Sequence, residues 1–561
     1  MKGKRLCIVG GVAGGASCAA RARRLDEKAE IIIFERGPFV SFANCGLPYY
    51  VGDVIRREEH LLVATPEMFR QRFNIEVRLH SEVVGIDRDG RRILVRDHQT
   101  GRDYEEPYDA LVLSPGSSPV RPPIEGLDLP GVFFVRTIPD SRAIRRMIDE
   151  RKATNAVVVG GGYIGIEMTE NLVRRGLHVT VVEMQRQLMP LCDPEMVWPL
   201  QEVLTEKGVE VRLGAEVERI EESGTQEVTV RLRSGEGLRT PLVIVAVGVR
   251  PEVQLARDAG LALGQLGGIR VNDRMQTSDP TIWAVGDAVE VFHVVTGRQT
   301  LLPLAGPANR QGRIAADVIC GRDARFRGVQ GTAVVGLFDQ VLAMTGPSEK
   351  TLKALGLWDE PYGCEKIYLH PGHHASYYPG AETIAMKLIF SRKDGKVLGF
   401  QAMGKKGAVR RTDVIAMAVQ KGGTVYDLEE AELCYAPQFG SAKDPVNLAG
   451  MIAANVLRGD VDIVHAEDMD RPPDHVLVLD VREPFEFRRG HIPGAYHIPL
   501  GLLRRRMDEL PKDKEIWAYC YVGQRSYVAA RALRQYGYRA KNLSGGYRSY
   551  EIWRKAVGKA P

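Results

Sequence analysis

Paired cysteines are what this sequence lacks. Eight cysteines are spread over 561 residues, none with a close neighbour in sequence, which excludes a disulfide scaffold. No apolar run reaches the ~18 residues of a membrane helix. Neither charge sign dominates: 76 basic residues face 71 acidic ones, for a net charge of +5. That argues against a nucleic-acid binder and leaves room only for local basic patches that hold a small anion. The opening "MKGKRLCIVGG" runs directly into a strand and a glycine turn, without the h-region or cleavage site of a signal peptide. These absences lead us to expect a soluble, cytoplasmic protein in a reducing compartment. Its length predicts three or four domains.

What is present is a repeated grammar. Residues 5 to 35 read strand, glycine turn, helix, strand, and the same order returns at 155 to 183. Two such units predict two doubly wound, Rossmann-like α/β domains, each able to hold a nucleotide. "PLVIVAVGVRPE" and "TIWAVGDAVEV" read as strands returning the chain to the first domain. The expected organisation is a discontinuous first domain over 1–150 and 240–327, a second over 151–239, and an α+β domain over 328–455. A linker over 456–469 and a small α/β domain over 470–561 complete it.

The second unit carries a full GxGxxG at Gly160, Gly162 and Gly165, with Glu183 ending the following strand. The first glycine makes the turn, the second admits a pyrophosphate, and the third lets helix pack on strand. Glu183 can accept from both ribose hydroxyls and would repel a 2′-phosphate, favouring NADH over NADPH. The first unit is looser. "GGVAGG" keeps Gly10 and Gly15 but has Val12 at the middle position, and Glu35 ends its strand. On its own this unit is also compatible with a structural turn. Asp287, after a strand-ending glycine, can bond a ribityl hydroxyl, and with it the pattern fits FAD in the first unit and NADH in the second.

The order of these motifs resembles the pyridine nucleotide–disulfide oxidoreductase flavoproteins over residues 1 to about 452. The lone Cys45 in "SFANCG" resembles their one-cysteine branch of CoA-disulfide reductases, NADH oxidases and NADH peroxidases. The oxidases and peroxidases typically have a histidine after the first glycine turn. Here "GGVAGGAS" has none, with Ala13 near that place, which favours a CoA-disulfide reductase. "SYYPG" and "SAKDPVN" resemble that subfamily too.

One cysteine suffices if the second sulfur comes from a small molecule. Cys45 can then attack a mixed disulfide or persulfide and release a thiol or sulfide. A place at a helix start would lower its pKa, and Ser41 and Asn44 could orient the incoming thiol. Coenzyme A carries phosphates, so its site needs cations. Arg21 and Arg24 lie on successive turns of one helix face, and Arg70 or Arg72 could add a contact. The resemblance implies a third-domain tyrosine within an "APPY" stretch that reaches the partner subunit of a homodimer. This chain has "APQF", with Phe439 at that position, and Tyr435, Tyr377 and Tyr378 are nearby hydroxyls. Cys7, Cys18, Cys192, Cys320, Cys364 and Cys434 are read as structural, and no metal is expected.

The last ninety or so residues resemble rhodanese sulfurtransferases through "LDVREPFEFRRGHIPGAYHIPL" and the loop "CYVGQRS". Backbone N–H groups of such a loop can converge on one sulfur. Cys520 is the expected sulfur carrier, with Arg525 adding charge and Ser526 near the helix start. Asp480, Arg482 and His491 are expected to stabilise the fold. The resemblance as a whole implies an NADH-using flavoenzyme that reduces persulfides, polysulfides or CoA disulfide. Two rivals stand beside it: an NADH oxidase or peroxidase cycling Cys45 through a sulfenic acid, and a flavin-based redox sensor or sulfur carrier without turnover.

Overall fold

A computed structural model describes residues 3–224 and 226–559. The chain forms two compact units, one of residues 1–186 and 208–329, the other of 187–207 and 330–561.

The first unit holds two parallel sheets. In one, β1 (Arg5–Val9), β2 (Glu30–Phe34), β3 (Glu76–Arg78) and β4 (Ala110–Leu113) join the returning strand Ile282–Ala284 in the order Ile282–Ala284, β4, β1, β2, β3. β1, β2 and β4 read as near-continuous buried aliphatic runs, as central strands covered on both faces require. α1 (Ala13–Leu25) packs across one face, crossed closely by a helix over Ala305–Ile319. A Cβ on Gly312 would stand 2.1 Å from the Gly14 carbonyl oxygen, so only glycine permits this approach. A short helix, α2 (Leu47–Val51), follows Cys45.

The other parallel sheet contains β5 (Val132–Phe133), β6 (Asn155–Val159), β7 (His178–Glu183), β8 (Glu210–Leu213) and β9 (Val243–Val245), in the order β8-β7-β6-β9-β5. α3 (Tyr163–Arg174) follows the glycine turn after β6. Two expected boundaries move. Of "PLVIVAVGVRPE", only the end returns to the first domain: β9 pairs with β6, Val157 opposite Val243, while Val249–Pro251 pairs with Ser117–Pro119 and Ile282–Ala284 with β4. β5, placed by sequence in the first domain, also joins this sheet.

The second unit begins with an antiparallel sheet of β10 (Ala333–Leu337), β11 (Gln340–Thr345), β12 (Cys364–Leu369), β13 (Ala385–Ser391) and β14 (Val397–Gly404), ordered β10-β11-β14-β13-β12. Residues 187–207, expected in the nucleotide domain, belong here, because Asp193 and Glu195 accept from the fully buried Lys387 on β13. An uncompensated buried ammonium is too costly to leave unpaired.

The chain then passes through the helix Pro445–Leu457 into a parallel sheet of β15 (Asp462–Val464), β16 (Val476–Asp480), β17 (Tyr496–His497), β18 (Glu515–Tyr519) and β19 (Ala540–Leu543), ordered β15-β19-β18-β16-β17. Segment 456–469 is therefore no linker. It contains the end of one helix and β15, which pairs with β19 in register Asp462–Lys541. Its charged residues made it look solvated, but Ile463 and Val464 carry an edge strand. α4 (Gln524–Gln535) and α5 (Gly546–Ala556) complete this domain. Among the described residues no helix is long and apolar enough to cross a membrane.

Candidate functional site

The two glycine turns are built alike. Gly10 has φ +89°, and a Cβ there would lie 2.1 Å from the Ser114 carbonyl oxygen; Gly160 has φ +109° and meets the Ala246 carbonyl oxygen at 2.4 Å. A Cβ on Gly15 or Gly165 would stand 1.9 Å from the carbonyl oxygen of Gly10 or Gly160, so each helix presses on its own turn. Around Gly162 a Cβ would meet nothing within 4 Å, the open space a pyrophosphate needs.

Each acidic strand end braces its turn. Glu35 accepts from the N–H groups of Gly11 and Gly37 at 3.0 and 3.1 Å. Glu183 accepts from Gly161 and Gln185, both at 2.7 Å. Each carboxylate oxygen keeps a free lone pair for a ribose hydroxyl.

A cleft of about 1280 Å³ runs through the first unit. Its walls include Gly10, Glu35, Ser41, Asn44, Cys45, Arg21, Arg24 and Asp287. One cavity thus joins the Gly10 turn, Cys45 and Asp287, the residues expected around FAD. Asp287 accepts from Ser117 Oγ at 2.8 Å, with Arg136 Nη2 at 3.7 Å. Ser41 has φ +47° and gives its N–H to the Gly11 carbonyl at 2.8 Å, tying the Cys45 segment to the first turn. Asn44 Oδ1 is buried without a hydrogen-bond partner, a group that calls for a bound donor.

Cys45 is an exposed, unpaired thiol in this cleft. It sits in a 3₁₀ turn over Asn44–Gly46, ahead of the five-residue α2. The expected lowering of its pKa is not found. Partial burial of the sulfur, then the charges of Glu167 and Asp287, raise it and outweigh Arg136. α2 is too short to supply a compensating dipole.

Of the expected coenzyme A ligands, Arg21 and Arg24 line the cleft, but Arg21 is committed to Asp317, with Nε and Nη2 donating to Oδ1 at 2.9 and 2.7 Å. Arg24 has no carboxylate partner among the described residues. Arg72 is exposed and is not part of the cleft wall. Tyr378 belongs to the second unit, 43% exposed, with its ring edge-on to His374. Phe439 is exposed in the same unit, where the Tyr377 and Tyr435 hydroxyls share a hydrogen bond of 2.8 Å.

The second thiol is closed in. Cys520 is 1% exposed, and its Sγ accepts from Gly523 N–H at 3.2 Å and Ser526 Oγ at 3.4 Å. Arg525 is bidentate to Glu486, both bonds 2.7 Å, so its charge is balanced rather than free. Asp480 and Arg482 bond each other in the core, and His491 stacks on Phe487 at 3.9 Å.

Three functional groups gave no clear sequence signal. Glu486 is 39 residues from Arg525. Tyr49 and Glu167 meet across 118 residues. Asp193, Glu195 and Glu349, close enough to converge on a cation, already surround the Lys387 ammonium.

The comparisons with known proteins agree with this layout. Residues 4–312 match the pyridine nucleotide-disulphide oxidoreductase model, 332–444 its dimerisation domain, and 464–552 a rhodanese-like domain. The crystal structure of reduced Bacillus anthracis CoADR-RHD aligns with TM-score 0.95 and 46% identity over 98% of each chain. The NAD-dependent persulfide reductase of A. fulgidus aligns with TM-score 0.88 and 35% identity over 97% of this chain and 100% of its own. The coenzyme A disulfide reductase of Staphylococcus epidermidis is 36% identical over 80% of this chain and 99% of its own.

Proposed function

The chain belongs to the pyridine nucleotide-disulphide oxidoreductase family, and from that premise we propose that it is an NADH-dependent reductase of persulfides, polysulfides or CoA disulfide that uses one redox cysteine, Cys45. Family membership implies FAD and NAD(P)H, and the sulfur-directed activities of its relatives and its rhodanese domain make it an oxidoreductase acting on sulfur substrates. The observation that carries the finer reading is a single thiol, Cys45, in the nucleotide cleft beside the unsatisfied Asn44 Oδ1. Among the described residues no second cysteine lines that cleft, which supports a partner sulfur supplied by the substrate.

FAD fits the first turn and Asp287, NADH the second turn and Glu183, and the bound flavin supplies transfer of an electron pair. Cys45 Sγ, as thiolate, attacks the substrate disulfide or persulfide and expels a thiolate or hydrosulfide. Asn44 orients the incoming sulfur. Arg24, a cleft cation with no carboxylate partner among the described residues, holds a coenzyme A phosphate, while Arg21 is positioned by Asp317 beside it.

Cys520 carries sulfane sulfur as a persulfide stabilised by the Gly523 N–H and Ser526 hydroxyl. With Arg525 neutralised by Glu486, the loop lacks the excess positive charge that a doubly anionic donor favours. The dimerisation-domain match supports a homodimer, and eight unpaired thiols support a reducing compartment such as the cytoplasm.

The test is NADH oxidation under strict anaerobiosis with coenzyme A persulfide, polysulfide or CoA disulfide, with sulfide assayed alongside. Stoichiometric NADH loss with one of these substrates is expected. NADH loss that requires oxygen or peroxide would establish the oxidase reading instead.

A further inference from the structure

Glu167 is a carboxyl group that the proposed function leaves without a task. It stands on α3, the helix that follows Gly160 and Gly162, and it accepts from Tyr49 Oη at 3.2 Å. Tyr49 lies on α2, four residues after Cys45. Of the charged groups acting on the Cys45 thiol, Glu167 acts most strongly.

The two helices are held in place. A Cβ on Gly52 would fall 1.9 Å from Asn171 Oδ1, so α2 ends directly against α3. Arg175 Nη1 donates to the Val51 carbonyl at 2.9 Å. Glu167 is thus fixed on the helix that follows the second glycine turn and joined through Tyr49 to the helix that follows Cys45.

No lysine or arginine pairs with Glu167 among the described residues. The nearby cations are committed: Arg174 to Glu170, Arg175 to Asp149 and Val51, Arg145 to Asp53 and Tyr50. The titratable groups facing it are Tyr49, Cys45 and Glu170. Burial, aided by Glu170 and opposed by the Tyr49 hydrogen bond, pushes its carboxyl up to about 7. It therefore exchanges a proton readily near neutrality, as a proton carrier must.

The reaction needs such a carrier. When Cys45 thiolate attacks a persulfide RS–SH at the sulfur bearing R, a Cys45–S–S–R bond forms and HS⁻ leaves. NADH yields a hydride, equal to two electrons and one proton. The electron pair cleaves the Cys45–S–S–R bond to Cys45 thiolate and RS⁻, and the proton completes RSH. The sum is NADH + RS–SH → NAD⁺ + RSH + HS⁻. The proton travels with the hydride, is set free when the electron pair passes on to the disulfide, and is used at the departing thiolate, so it must be held in between.

We propose that Glu167, hydrogen-bonded to Tyr49, holds that proton and delivers it to the thiolate leaving Cys45. The assignment rests on the reductase reading above, and it accounts for turnover where Phe439 offers no hydroxyl.

The experiment uses the reduced holoenzyme. Iodoacetamide alkylation of Cys45 is followed against pH in wild type, Glu167→Gln, Glu167→Asp and Tyr49→Phe. The pH dependence of anaerobic coenzyme A persulfide reduction is recorded for the same four proteins. Removing the neighbouring negative charge in Glu167→Gln should move the alkylation midpoint down by about one pH unit. The same variant should lose the kinetic limb near pH 7 and about a hundredfold in kcat. Glu167→Asp should restore part of both. Tyr49→Phe should move the limb to higher pH, since the Tyr49 bond lowers the carboxyl. A wild-type alkylation midpoint in Glu167→Gln, or a wild-type kinetic limb, overturns the proposal. The shifted alkylation midpoint without persulfide turnover in wild type would uphold the Glu167–Cys45 proton link and overturn the reductase reading.

Discussion

The backbone N–H of Tyr368 donates to Ser544 Oγ at 2.8 Å. That bond joins β12, the edge of the antiparallel sheet, to the turn after β19 in the rhodanese domain. The next residue, Gly545, has φ +73°, and a Cβ there would meet Tyr368 Cβ at 2.6 Å; a Cβ on Gly546 would meet the Cys520 carbonyl oxygen at 2.5 Å. The glycine pair is therefore wedged between the antiparallel sheet and the Cys520 loop. Further bonds seal the contact: His370 to Ser549 at 2.8 Å, Lys366 to Glu467 at 2.6 Å, His465 to Glu365 at 3.0 Å. The rhodanese domain is docked on the dimerisation domain, not swung on a flexible tether.

Gly545→Ala should disturb this wedge. The substitution meets Ser549 Oγ and Tyr368 at a backbone conformation that L residues rarely adopt. The expected cost is about 1–3 kcal/mol of stability, read from urea unfolding. Sulfide release from donors that must load Cys520 should slow, while reduction of small persulfides offered directly to Cys45 stays at the wild-type rate.

Lys387→Met should be far more damaging. Lys387 Nζ is fully buried and bonds Asp193, Glu195 and Glu349 at 2.9, 2.6 and 2.7 Å. Removing the ammonium leaves three carboxylates facing one another, with an expected loss of about 3–5 kcal/mol. Chemical denaturation of the variant measures it.

Stability should also fall in mild acid through His370. Burial, with a smaller push from Arg548, lowers its pKa to about 3, against about 6.5 in an unfolded chain. Between those values the unfolded state binds a proton that the folded state refuses. The stability that His370 contributes is present above pH 6.5 and lost as pH falls toward 3, by up to about 1.4 kcal/mol per unit. In His370→Gln, unfolding free energy measured between pH 6.5 and 5 should depend less steeply on pH.

Glu183 should set the coenzyme. Its carboxylate disfavours a 2′-phosphate, so kcat/KM should clearly favour NADH over NADPH. Glu183→Gln keeps one acceptor but no charge, and should narrow the preference about tenfold, or 1.4 kcal/mol. NADH binding itself should weaken, because Gly161 and Gln185 share fewer acceptors. Equal use of both coenzymes by the wild type would remove this role.

The glycine turns and the acidic strand ends were legible because local geometry dictates them. Gly10 and Gly160 need positive φ, and Gly15 and Gly165 need the missing side chain; such demands act over a few residues and leave a pattern. What stayed hidden depends on distant partners. Arg21 read as a free phosphate ligand because Asp317 lies 296 residues away. Arg525 read as a free cation because Glu486 is supplied by another helix. β15 was mistaken for a linker because an edge strand of three residues shows its nature only when paired. The rise in the Cys45 pKa follows first from burial of the sulfur and then from Glu167 and Asp287, which only folding brings near.

The central claim is that Cys45 is the single redox cysteine working beside the flavin. The measurement is an anaerobic NADH titration of the purified flavoprotein, wild type and Cys45→Ser, followed by absorbance. The account predicts a long-wavelength charge-transfer band in the wild type. In Cys45→Ser, with FAD still bound, that band should be gone, together with nearly all persulfide and CoA-disulfide reduction. A Cys45→Ser protein that keeps full reductase activity would contradict it.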